Sequence, residues 1–131
     1  MKISEFDLPE NEISEIIEFL KKEKYIDEHR YAEAFVNDKY RFNKWGKYKI
    51  KFTLKQKHIP EPIISEALNK IPDENYHSLL YDELSKKLRN LPKNSDYELK
   101  SKLYRFAASR GYENDLILEV INELLSEYSN K

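Results

Sequence analysis

At 131 residues, 40% apolar and 36% charged, the chain suits one compact domain or a short array of small repeats under a densely charged surface. Two glycines leave little room for a phosphate-cradling loop, and the absence of cysteine excludes disulfides, thiolate zinc sites and a cysteine nucleophile. The net charge of −1 hides a segregation: −6 over residues 1–38, +8 over 39–60, where no acid occurs, and −3 over 61–131.

The first element is expected to start after Asp7-Leu8-Pro9, with proline in the first turn and Glu10 and Glu12 at the positive end of the helix dipole. Ile13, Ile16, Ile17 and Leu20 form its apolar face, and Lys21, Lys22 and Lys24 close it. Asp27 is the expected N-cap of a second helix whose stripe is Tyr31, Ala32, Phe35 and Val36. Asn43-Lys44-Trp45-Gly46 ends that helix, and a positive φ is expected at Gly46. Residues 47–57 fit two periods, because Tyr48, Ile50, Phe52 and Leu54 alternate as in a strand while Ile50 and Leu54 also fit a helix. A lone strand among helices has nothing to pair with, so a helix is expected.

Ile59-Pro60-Glu61 opens the next helix, with Ile63, Ile64, Ala67, Leu68 and Ile71. Asp73 is expected to cap a longer one carrying Leu80, Leu84, Leu88 and Leu91, ended by Pro92-Lys93-Asn94. Ser95 and Glu98 have the capping-box spacing ahead of Leu99, Leu103, Phe106 and Ala107. Gly111 suits the left-handed residue beyond a helix end. Leu116, Ile117, Val120, Ile121, Leu124 and Leu125 make the cleanest amphipathic stripe.

Self-similarity links Lys57-His58-Ile59 through Ile63-Ile64 and Ala67-Leu68 to Arg110-Gly111-Tyr112 through Leu116-Ile117 and Val120-Ile121; His58-Ile59-Pro60 to Ala67-Leu68 also echoes Asp7-Leu8-Pro9 to Ile16-Ile17. The repeat predicts an all-α fold of tandem three-helix units in an elongated, curved array. The expected divisions are residues 1–24 as the end of one unit, 25–71 as the second and 72–131 as the third.

On these residues the chain resembles the RecX family, regulators of the RecA recombinase. The run Tyr25-Ile26-Asp27-Glu28-His29-Arg30-Tyr31-Ala32-Glu33-Ala34-Phe35-Val36 is similar to the family's central signature. Arg41 through Trp45-Gly46, then Lys47 to Ile50, Leu54 and Lys57, resembles its continuation, and Phe106 with Arg110-Gly111-Tyr112 and Ile117 its closing repeat. Two departures stand out: His58 where the family usually has glycine, and an opening on what looks like the third helix of a first unit, two helices short of the usual start. The resemblance implies a non-enzymatic, monomeric regulator in DNA repair, recombination and the SOS response. It would bind the RecA filament on single-stranded DNA, with or without direct contact to the DNA, and need no cofactor.

The expected contact surface is Arg41, Lys44, Trp45, Lys47, Lys49, Lys51, Lys55 and Lys57, with Phe42 and Tyr48 interleaved. Cations there would neutralise phosphates or an acidic partner, and an aromatic would stack on a base. The plainer alternative is a solvated face over buried aromatics, with Trp45 only holding the turn. Lys86, Lys87, Arg89, Lys100, Lys102, Arg105 and Arg110 form a second basic patch, some of it complementing helix dipoles. His29, His58 and His77 lack metal-ligand spacing, so no metal is expected. Asp27-Glu28 and Asp73-Glu74 read as helix-start residues rather than catalytic pairs. No apolar run approaches the ~18 residues of a membrane span, and no signal core follows Met1, so a cytoplasmic location is expected. A stand-alone DNA-binding module and a pure interaction scaffold are the competing readings.

Overall fold

The computed structural model describes residues 10–129, with side chains to Glu127. The expected start at Asp7-Leu8-Pro9 lies outside the described residues. Six helices and no strand make up the described chain: α1 (Glu10–Arg41), α2 (Lys47–Gln56), α3 (Glu61–Asn69), α4 (Asp73–Asn90), α5 (Asp96–Ser109) and α6 (Asn114–Ser129). Helices pack in two triads, α1–α3 and α4–α6, so the architecture is an array of three-helix repeats.

The ambiguous segment resolves as the helix α2. Ile50 and Leu54 are fully buried, whereas Tyr48 and Phe52 face solvent, a four-residue rhythm rather than strand alternation. The core repeats between triads: Ala32, Val36, Ile50, Leu54, Ile63, Ile64 and Ala67 in the first, Leu80, Leu84, Leu99, Leu103, Ile117, Val120 and Ile121 in the second. Roughly 1.5–3 kcal/mol follows from burying each large side chain.

Three local expectations are corrected. No helix ends at Lys24 and none is capped by Asp27, because α1 runs unbroken for 32 residues. Nothing between Glu10 and Arg41 is Gly or Pro, so no residue there breaks the hydrogen-bond ladder. Asp27-Glu28 therefore sit mid-helix, and the expected unit junction at 24/25 has no backbone break. Along the N-terminal half of α1, Ile16, Ile17, Phe19 and Leu20 stay exposed. At α4 the N-cap is Pro72, with no side-chain cap, and Asp73 and Glu74 occupy the first turn, where their charge suits the dipole.

The positive φ near Trp45 belongs to Lys44 (φ 60°), not to Gly46, whose φ of −79° and ψ of 167° are extended. Gly46 is needed for a different reason. A Cβ there would lie 2.3 Å from the carbonyl carbon of Gly111. Gly111 does take the expected left-handed conformation (φ 92°). Ser95 caps α5 as expected, accepting from the Glu98 N–H at 3.3 Å.

The ends of α2 and α5 are built alike. Ile59 N–H donates to Leu54 O (3.1 Å) and His58 N–H to Lys55 O (3.0 Å); Tyr112 N–H donates to Ala107 O (3.3 Å) and Gly111 N–H to Ala108 O (3.0 Å). Both are Schellman caps. His58 fills the left-handed position in the first triad with φ 63°.

A candidate anion-binding face on the second helix

The α2 helix is set against the second triad through its own N-terminus. Gly46 N–H donates to Arg110 O (2.7 Å) and Tyr48 N–H to Gly111 O (2.9 Å). Lys47 N–H donates to the Tyr76 hydroxyl (2.8 Å), which in turn donates to Glu113. Tyr112 Oη donates to Lys44 O at 3.0 Å. Three amides at the start of α2, left unpaired within any helix, are thus satisfied from the other repeat. Burial is the main reason the Tyr76 and Tyr112 hydroxyls are held well above the usual phenol range, so both stay neutral donors.

This arrangement puts cations where the helix dipole is already positive. The first turn of α2 carries Lys47 and Lys49 and no acid, the reverse of the usual preference. A local electrostatic conflict of this kind is expected at functional sites.

Around α2 the buried side is Ile50 and Leu54, and the opposite side is an aromatic ridge. Phe52 is 63% exposed and Tyr48, one turn earlier, 60%. Lys47, Lys51 and Lys55 form a row along one flank of the ridge by their spacing of four. Lys49 lies on the other flank, its ammonium 4.6 Å above the Trp45 ring.

The expected contact residues take different roles. Trp45 is half-buried, edge-on to Phe35 (6.3 Å between centroids, 70° between planes). Lys39 lies 5.1 Å over the Trp45 ring, and Lys57 6.0 Å over that of Phe35. Lys44 donates to the Arg41 carbonyl across the turn (2.6 Å). Lys51 and Lys55 both reach Glu61 on α3, at 3.2 Å each. Their contacts, Lys55 first, hold the Glu61 carboxyl below the usual Glu value. Arg41 is exposed beside Phe42, whose ring is 77% exposed. Phe52 was absent from the sequence-based set; its spacing of four from Tyr48 is the signal that could have found it.

The second patch divides. Lys87 and Arg110 lie over the Phe106 ring (5.4 and 4.7 Å). Lys86 and Arg110 reach Glu83 at 3.7 and 4.0 Å. Arg89, Lys100 and Arg105 are exposed and Lys102 half-buried. Arg105 folds back to donate to Ser101 O at 3.3 Å.

Residues 27–68 match the second three-helix domain of RecX, and residues 73–121 match the third. A regulatory protein RecX of Chlorobium phaeobacteroides is 35% identical over 94% of this chain and 79% of its own length. The chain belongs to the RecX family.

RecX proteins of Clostridium beijerinckii and Clostridium acetobutylicum are 37% and 39% identical over 96% and 97% of the chain. The chain spans 58% and 60% of those two relatives. A crystal structure of a regulatory protein RecX aligns with a TM-score of 0.62 and 26% identity, over 93% of this chain and 60% of the other. No described helix is long and apolar enough to cross a membrane.

Proposed function

We propose that this RecX-family chain binds the RecA filament on single-stranded DNA and restrains its ATPase and recombinase activity, itself catalysing nothing. The α2 face carries the reading: two exposed aromatics one turn apart, flanked by lysines, on a segment without an acid. Bases stack on such rings whatever their sequence, and the lysines meet phosphates or acidic side chains. Arg41, Lys44, Lys47, Lys49, Lys51, Lys55 and Lys57 supply the charge, and Trp45 holds the ring-and-lysine cluster behind the ridge. Lys86, Lys87, Arg89, Lys100, Lys102, Arg105 and Arg110 extend the basic surface onto the second repeat.

The test is inhibition of single-strand-dependent ATP hydrolysis by RecA. Replacing Tyr48→Ala with Phe52→Ala removes only exposed rings, so the helical circular-dichroism signal and Tm should hold. Each lost stacking contact weakens binding by about 1–3 kcal/mol, so the half-inhibitory concentration should rise at least tenfold. A folded double variant that inhibits as well as the parent would remove the ridge from the contact.

The same chemistry favours a second reading, a DNA-binding module that needs no protein partner. Titrating salt with and without RecA separates the two. Binding that strengthens on the filament supports the proposal; equal, steeply salt-dependent binding to bare single strands supports the module.

A further inference from the structure

A histidine–carboxylate cluster is built differently in the two repeats. In their first helices Ala32 and Val36 correspond to Leu80 and Leu84, an offset of 48. In their third helices Ile63, Ile64 and Ala67 correspond to Leu116, Ile117 and Val120, an offset of 53. On this register His29 corresponds to His77, Glu66 to Glu119, Lys70 to Glu123 and Glu33 to Tyr81.

In the first triad His29 bridges two carboxylates, with Nδ1 3.1 Å from Glu33 and Nε2 2.9 Å from Glu66. The Lys70 ammonium also bonds Glu33. Two acids there meet an imidazole and a built-in cation. In the second triad the lysine is replaced by a third-helix carboxylate. His77 Nε2 lies 3.0 Å from Glu123 Oε1, and Glu119 stands one turn earlier on α6. One ligand atom from each of the three lies within 4.8 Å of the others. Tyr81 turns away to bond Glu127.

We propose that His77, Glu119 and Glu123 bind a divalent transition metal ion of the zinc type, clamping α4 to α6. The donor set is an imidazole nitrogen with two carboxylate oxygens, which favours Zn²⁺, Co²⁺ or Ni²⁺ over the all-oxygen preference of Mg²⁺ and Ca²⁺. Three protein ligands with water as the fourth make a familiar zinc sphere. Ligands about 2.0–2.1 Å from a tetrahedral zinc lie roughly 3.3 Å apart, close to the His77–Glu123 separation. Glu119 is exposed, so a rotamer change closes the third bond without moving backbone. The ion would put a positive charge on the second triad's His–Glu cluster, as Lys70 does on Glu33 in the first.

The experiment is zinc titration of the metal-stripped protein, by calorimetry and by thermal melting. Parent protein should bind one equivalent with a micromolar Kd. Its Tm should rise by about 5–10 °C at zinc a hundredfold above that Kd, and Mg²⁺ at the same concentration should do nothing. Both His77→Gln and Glu123→Lys should abolish the zinc response. The second gives this triad the lysine its counterpart already has, so it should fold and melt normally without metal. His29→Gln should keep the response. The proposal is overturned by non-saturable zinc binding in the parent, by a response that survives His77→Gln, or by one that disappears in His29→Gln.

Discussion

His58 and Gly111 occupy the same position in two equivalent helix caps, and only one is a glycine. A side chain in the left-handed region costs roughly 1–2 kcal/mol, and His58 is exposed, so no packing offsets that cost. His58→Gly should therefore raise stability by about 1 kcal/mol, read as a higher urea midpoint with unchanged slope. A lower midpoint would mean that the imidazole has a partner unseen at this position. The Gly111 cap was legible from its glycine; the one at His58 was not, because a histidine where the family usually has glycine pointed to a differently built helix end, whereas the backbone closes in the same way. Gly46 was half legible. A glycine was clearly required, but the sequence offers no way to tell a positive φ from a close approach to Gly111, 65 positions along the chain. Trp45 had the same difficulty: only the fold brings Phe35 and Lys39 against it.

The first turn of α2 is basic against its own dipole, and farther along the helix α3 partly neutralises the lysine row. Glu61 ties down Lys51 and Lys55, so the face offers fewer free cations than its sequence suggests. Glu61→Gln should release both, tightening binding to oligo-dT. Two more phosphates neutralised would steepen the plot of log K against log salt by up to about 1.4. An unchanged slope would show that the pair never restrained the lysines. Acid should act in the same direction. Because the Glu61 carboxyl titrates below its unfolded counterpart, its ion pairs stabilise the fold fully above the ordinary Glu range. That contribution fades as pH falls through the folded value, freeing the lysines as it goes. The existence of α2 was legible despite its strand-like alternation, since no partner strand was on offer. The continuity of α1 was not: Asp27 is an acceptable N-cap and equally an acceptable surface residue, and local composition does not choose between them.

Across the whole molecule the two triads meet through backbone, through tyrosines and through the Lys47 ammonium 4.7 Å over the Tyr76 ring. Gly46 and Gly111 touch, and Tyr40, Tyr76 and Tyr112 follow one another, the first pair tilted at 6.4 Å and the second stacked at 5.3 Å. Stability in such arrays is the sum of each repeat and its interface, so the fate of the first triad depends on this junction. The chain's one tryptophan sits on the first triad's side of it. In the parent protein, urea unfolding followed by Trp45 fluorescence and by far-ultraviolet circular dichroism should coincide. Leu84→Ala empties a fully buried site in the second triad and should cost about 2–5 kcal/mol. It should shift the Trp45 transition as well, because α2 loses the carbonyls that cap its first turn. Gly46→Ala drives a methyl group into the Gly111 backbone and forces the triads apart. In that background Leu84→Ala should leave the Trp45 midpoint where it was, while circular dichroism shows a separate, earlier transition. If both probes still move together, coupling between the repeats runs through the tyrosine stack instead of the glycine contact, and Tyr76→Leu becomes the substitution that should divide them.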